Sequence, residues 1–135
     1  MKRFLRTAAL VSFFSALLVS GASAQLKILK ATSPEERAQA QTRYMERKLQ
    51  LSPPQLQKIT SLNLWAARKA EPILKGSGNR FTIAFGLRSI QSERNEKLEK
   101  LLSAQQLKIL RDSRDEMKKS VLERLGQGMG KARGN

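Results

Sequence analysis

The sequence predicts an all-α protein, and three observations carry that expectation. LSPPQLQKI from Leu51 and LSAQQLKIL from Leu102 repeat Leu-Ser-x-x-Gln-Leu at a spacing of 51 residues. Apolar residues recur at helical spacing after both copies. Apart from FTIAFG at Phe81, which is β-prone, no segment reads as a strand.

The repeated motif is a helix start. A serine three residues before a glutamine forms a capping box, in which each side chain bonds the other residue's backbone amide. Ser52 and Gln55 fit this pattern, as do Ser103 and Gln106. Leu51 with Leu56, and Leu102 with Leu107, occupy the N′ and N4 positions of a hydrophobic staple, which fixes the angle of chain entry. Pro53 falls at N1, where its missing N–H costs nothing. Ser33-Pro34-Glu35-Glu36 is a third box with acids placed where the helix dipole favours them. A recognition epitope is the alternative reading of the repeats, but each residue already has a local structural task.

Four helices follow in order: Pro34 to Gln50, Pro53 to Leu74, Phe81 to Leu101 and Ala104 to Leu125. Residues 25–32 read as a short linker. Pro72 is expected to kink or end the second helix near Arg68, because proline removes the bond to the carbonyl four residues back. Gly76-Ser77-Gly78-Asn79 is a turn by composition. Gly86 weakens any helix through FTIAFG. In the third helix Leu87, Ile90, Leu98 and Leu101 share a stripe interrupted by Arg94. Leu107, Leu110, Met117, Val121 and Leu125 do so in the fourth, with Arg114 in the seam. GQGMGKARGN, from Gly126, reads as a disordered basic tail.

The N-terminus reads as a secretory signal peptide. Lys2, Arg3 and Arg6 precede an apolar run from Ala8 to Ser20, and Ala22-Ser23-Ala24 offers small residues for cleavage before Gln25. The run is short for a bilayer-spanning helix, and no cysteine follows it to carry a lipid. Removing 24 of the 135 residues leaves 111, enough for one domain in a periplasm-like compartment. With Lys2, Arg3 and Arg6 gone from 26 basic residues, 23 remain against 11 acidic ones, a formal +12. Without cysteine, stability must come from packing or oligomerisation, and the few aromatic residues make for a thin, aliphatic core.

Several function classes fall away on residue types. A chain without His or Cys would need Ser-Lys or paired carboxylates to be an enzyme. Asp112, Asp115 and Glu116 cluster, but Arg111, Arg114, Lys118 and Lys119 interleave with them as helical ion pairs do. A zinc or nickel site lacks its usual ligands, and no cofactor is expected. Binding of anionic envelope polymers or lipids is the serious rival, because a pI near 11 is an electrostatic footprint. No groove-reading motif points to a specific nucleic acid.

Charge and aromatic placement pick out a candidate surface. From Lys58 to Arg94 there are seven basic residues (Lys58, Arg68, Lys69, Lys75, Arg80, Arg88, Arg94) and two acidic ones (Glu71, Glu93). Trp65, Phe81, Ile83 and Phe85 lie among them. Trp65, Arg68, Lys69, Arg80, Phe81, Ile83, Phe85 and Arg88 form the candidate client-binding set, since cations attract partners at range and apolar groups hold them at contact. The competing reading makes Trp65, Phe81 and Phe85 core residues and the cations a solvated face.

Two Leu-Ser-x-x-Gln boxes on an exported, all-helical, cysteine-free chain of this size resemble the Spy/CpxP-like proteins, the LTxxQ-motif family of periplasmic stress proteins. LNLWAARKAEPIL from Leu62 and ERNEKLEKLLSAQQ from Glu93 are similar to small family members of Bacteroidetes-type bacteria. The resemblance covers Arg43 to Leu125, with Ser in place of the usual Thr in both boxes, a change that capping tolerates. It implies a long bent helical hairpin that pairs with a second copy as an antiparallel, cradle-like homodimer. It further implies ATP-independent holding of unfolded or partly folded envelope proteins and, in some members, damping of a stress-sensing membrane kinase. Other relatives bind metals, and the absence of His and Cys separates this chain from them.

Overall fold

The computed structural model of the protein describes residues 23–133. The charged and apolar parts of the expected signal peptide lie outside the described residues. Six helices and no strand make up the described chain: α1 (Ser23–Ala31), α2 (Pro34–Leu49), α3 (Pro53–Lys75), α4 (Arg80–Leu101), α5 (Ala104–Asp112) and α6 (Arg114–Arg133). All three capping boxes form, with Ser33, Ser52 and Ser103 as N-caps and both reciprocal bonds present in each.

The structure departs from the sequence reading in four places. The expected linker at residues 25–32 is largely α1, whose Leu29 is buried in the core. The third helix, by contrast, forms as expected despite the β-prone FTIAFG at its start, as α4 capped by the Asn79 side chain, which accepts from the Thr82 amide. Pro72 ends nothing, since α3 continues to Lys75. The expected fourth helix is broken at Ser113, whose hydroxyl donates to the Ile109 carbonyl. Such back-bonding competes with the regular ladder and bends helices. Beyond it, α6 continues through the glycines of the expected tail to Arg133. Tertiary packing overrides the poor propensity of glycine there, because α6 lies against both α1 and α2.

Packing runs in sequence across the molecule: α4 against α3, α3 against α2, and α2 against α5 and α6. The core is aliphatic, as its composition requires, with Met45, Ile59, Leu74 and Leu98 fully buried and Tyr44 its only aromatic member among the described residues. Gly86 proves to be a contact point. A Cβ there would stand 2.8 Å from Ile73 Cδ1 and 3.2 Å from Ile73 Cγ2, so the bare glycine lets α4 approach α3.

A polar network crosses this core. Arg94 is 3% exposed and donates from Nε (2.9 Å) and Nη2 (2.6 Å) to Asn63 Oδ1, while Asn63 Nδ2 donates to Thr42 Oγ1 at 2.9 Å. Three helices are thereby joined through one amide. Burial pulls the Arg94 guanidinium down to about 10, since low dielectric disfavours its charged form. Arg94, counted in the sequence with the basic surface, is therefore an interior residue.

Gln50, between α2 and the first box, has φ 50 in the left-handed region. A side chain there pays a steric cost that glycine avoids. Gln50→Gly is expected to raise stability by about 0.5–1 kcal/mol, measured as a higher melting temperature. An unchanged or lower value would contradict this account of the turn.

Candidate functional site

The two boxes meet. The N-cap amides of Ser52 and Ser103 can only donate, so each fixes the oxygen of its own glutamine: Gln55 Oε1 at 3.1 Å and Gln106 Oε1 at 3.0 Å. That leaves both amide nitrogens facing across the structure. Gln55 Nε2 donates to Gln106 Oε1 at 2.8 Å and Gln106 Nε2 to Gln55 Oε1 at 3.1 Å. Each nitrogen also reaches a helix C-terminus. Gln55 Nε2 bonds the Leu101 carbonyl at 3.1 Å, and Gln106 Nε2 bonds the Leu49 carbonyl at 3.2 Å. Leu49 and Leu101 end α2 and α4, so the glutamines satisfy carbonyls that helix geometry leaves without partners. One near-symmetric clasp caps two helix starts and two helix ends.

The leucines of the motif stand behind this clasp. Leu102 belongs to the core, Leu51 and Leu107 pack against it, and Leu56 is half-buried. The capping reading of Leu51, Ser52, Gln55, Leu56, Leu102, Ser103, Gln106 and Leu107 thus holds locally. The pairing of the glutamines was not visible in either box alone.

The structure divides the candidate client-binding residues into three groups. Ile83 is buried at 3% exposure and serves the core, which corrects its assignment to a binding surface. Trp65 is half-buried against the core, with Lys97 Nζ 3.9 Å and Lys69 Nζ 4.9 Å from its ring centre. This flank is closed by ion pairs: Lys69 with Glu93 at 3.0 Å and Arg68 with Glu35 at 3.2 Å. Sequence reading missed Lys97, which lies on the next helix, 32 residues after Trp65.

Phe81 and Phe85 form the third group. At 77% and 73% exposed they are the large apolar residues left in solvent among the described residues. Spaced four apart, they share one face of α4 just after the turn at residues 76–79. Arg80 and Arg88 are exposed beside them, and no Asp or Glu occurs from Pro72 to Ser92. An apolar, basic hairpin tip results.

The acidic cluster of the last two helices is engaged in ion pairs. Asp112 accepts from Lys108 at 2.8 Å, Asp115 pairs with Arg114 at 3.7 Å, and Glu116 pairs with Lys48 at 3.1 Å. The Lys108 hydrogen bond holds the Asp112 carboxyl below its usual range, and Lys48 does the same for Glu116. Among the described residues no three His, Cys, Asp or Glu side chains gather as a metal site, and no helix is long and apolar enough to cross a membrane. A groove of about 590 Å³ between α1 and α6, lined by Ile28, Leu122 and Lys119, shares no residue with the candidate set.

The class defined by these features is an all-helical protein closed by paired Leu-Ser-x-x-Gln boxes, with an apolar, basic tip. No protein-family model, curated protein or solved structure matches the chain.

Proposed function

We propose that the protein is a Spy/CpxP-like, ATP-independent holding protein of the bacterial periplasm, not an enzyme. In this reading it is exported with cleavage after Ala24, and it binds unfolded or partly folded envelope proteins. The observation that carries it is the solvent exposure of Phe81 and Phe85 in a stretch with cations and no acids. Exposed aromatics of this kind are costly unless something uses them, and a basic surround draws acidic chains towards them. The paired boxes support the family assignment, and the thin core supports self-association as an antiparallel, cradle-like homodimer. Regulation of a stress-sensing membrane kinase belongs to the same proposal. The rival reading, binding of an anionic envelope polymer by charge alone, makes the phenylalanines irrelevant.

The test follows aggregation of a client by light scattering, without ATP, at low and high salt. The chain from Gln25 to Asn135 is used, because among the described residues every core member lies beyond Gln25. Suppression is expected to persist in part at high salt and to fall several-fold in Phe81→Ser/Phe85→Ser, whose helical circular dichroism stays unchanged. Suppression confined to low salt and indifferent to the phenylalanines would hand the function to polyanion binding, whose affinity collapses with salt.

A further inference from the structure

We propose that the α3–α4 hairpin tip is a docking surface for an anionic lipid bilayer. Phe81 and Phe85 enter the headgroup region, and Arg80 and Arg88 lie among the lipid phosphates. This goes beyond client holding and does not depend on it. Four observations converge.

The two rings are exposed on one helical face, where they cost the free protein unfavourable hydration. They follow the turn that joins the two longest described helices, at the turn end of the packed α3–α4 hairpin. Lys75 is paired with Glu71, but Arg80 and Arg88 are exposed in a stretch without carboxylates from Pro72 to Ser92, and this local charge complements a phosphate surface. Finally, the positive end of the α4 dipole lies at the same place, with Arg80 in its first turn and no acid there.

Shape selects the bilayer over a folded partner. Phe81 and Phe85 are 77% and 73% exposed, so neither ring is enclosed in a cleft. A lipid interface accepts projecting aromatic groups without a matching pocket, whereas a specific small ligand needs a concave site. A second copy of the chain bringing the same tip would oppose cations to cations. The bilayer is met by partial insertion of a convex tip, with no membrane-spanning element required.

Co-sedimentation of the chain from Gln25 to Asn135 with phosphatidylglycerol-containing and pure phosphatidylcholine vesicles tests the proposal. Binding to the anionic vesicles is expected, and Phe81→Ser/Phe85→Ser should weaken it about tenfold or more. Arg88→Glu should also weaken it. Binding by the double phenylalanine variant equal to that of the unsubstituted chain would overturn the proposal in favour of plain charge adsorption. Absence of binding to anionic vesicles would overturn it outright.

A second readout does not depend on those variants. The chain has no cysteine, so Phe85→Cys takes a single environment-sensitive fluorophore. Its emission should shift to the blue with anionic vesicles, while the same label at Gln57→Cys, exposed near the box end of α3, should not shift. Equal responses at the two positions, or none at residue 85, would refute insertion of the tip. Client suppression is measured without lipid, so failure of the holding function and failure of lipid docking remain separate results.

Discussion

Gln106→Glu is expected to destabilise the protein by about 2–3 kcal/mol, although glutamate is a standard residue at that position of a capping box. Glu36 plays that part in the first box. A carboxylate at 106 can still accept from the Ser103 amide, so local capping survives. What it cannot do is donate. The Leu49 carbonyl and Gln55 Oε1 would each lose a donor, and a negative oxygen would face the carbonyl that Gln106 now bonds at 3.2 Å. Gln55 Oε1 keeps the Ser52 amide, so the loss falls on the Leu49 carbonyl, left without its side-chain donor and facing a carboxylate.

Ser103→Ala removes only the local cap and should cost about 1 kcal/mol, which makes it the reference variant. Chemical denaturation of the two variants separates the accounts. A Gln106→Glu protein as stable as the unsubstituted chain would mean that the boxes cap their own helices and do nothing more. In a double-mutant cycle, Gln55→Ala and Gln106→Ala should show coupling well outside additivity, since the side chains bond each other directly.

Arg37→Ala should cost more, about 3–5 kcal/mol, because it breaks a buried ion pair and leaves its partner behind. Arg37, on α2, is 3% exposed and reaches four groups on two other helices or their ends. Its Nη1 donates to the Leu29 carbonyl at 2.8 Å and to the Thr32 carbonyl, closing the end of α1. Its Nη2 donates to the Ala67 carbonyl and to Glu71 Oε2. Loss of the guanidinium therefore strands the carbonyls that end α1 and leaves the carboxylate on α3 with Lys75 alone, and α1 is the element expected to detach first. Retention of α1 in hydrogen exchange, with stability within 1 kcal/mol of the unsubstituted chain, would contradict this account.

The same pair sets a pH dependence. Burial alone would raise the Glu71 carboxyl, but hydrogen bonds from Arg37 and then Lys75 outweigh it and hold the group below its usual range. A carboxyl with a depressed folded-state pKa stabilises the protein above its unfolded value of 4.5, and that contribution is lost as pH falls through the folded value. Glu71→Gln should thus lower the melting temperature at pH 7 and flatten its decline at acid pH. A decline as steep as in the unsubstituted chain would assign the acid sensitivity elsewhere.

The chain's start signals were legible because they are local. Each Ser-x-x-Gln or Ser-x-x-Glu box specifies bonds within four residues, so α2, α3 and α5 began where the sequence placed them. The tip was partly legible. The shortage of acids could be counted, but whether Phe81 and Phe85 lay inside or outside could not, because an aromatic pair four residues apart suits either side of a helix. Ile83, two residues from each, is buried. A helix turns about 100° per residue, so neighbours in sequence part company in space. FTIAFG was placed in a helix against its local signal, and rightly: its β-propensity is a weak preference, and Gly86 against Ile73 gives the helix a close packing partner that outweighs it.

By itself, the sequence determined the helical class, the three boxed helix starts and the aliphatic character of the core, since each follows from side-chain chemistry acting over one or two turns. Only the tertiary structure decided that Gln55 and Gln106 join, that Arg94 is interior and bonded to Asn63, and that α1 and α6 are helices held against the bundle. Those outcomes depend on partners 31 to 51 residues away, or on packing that no local pattern encodes. Gln106 shows the difference: one box needs only an acceptor there, whereas the folded protein needs an acceptor and two donated bonds, which a primary amide supplies and a carboxylate does not.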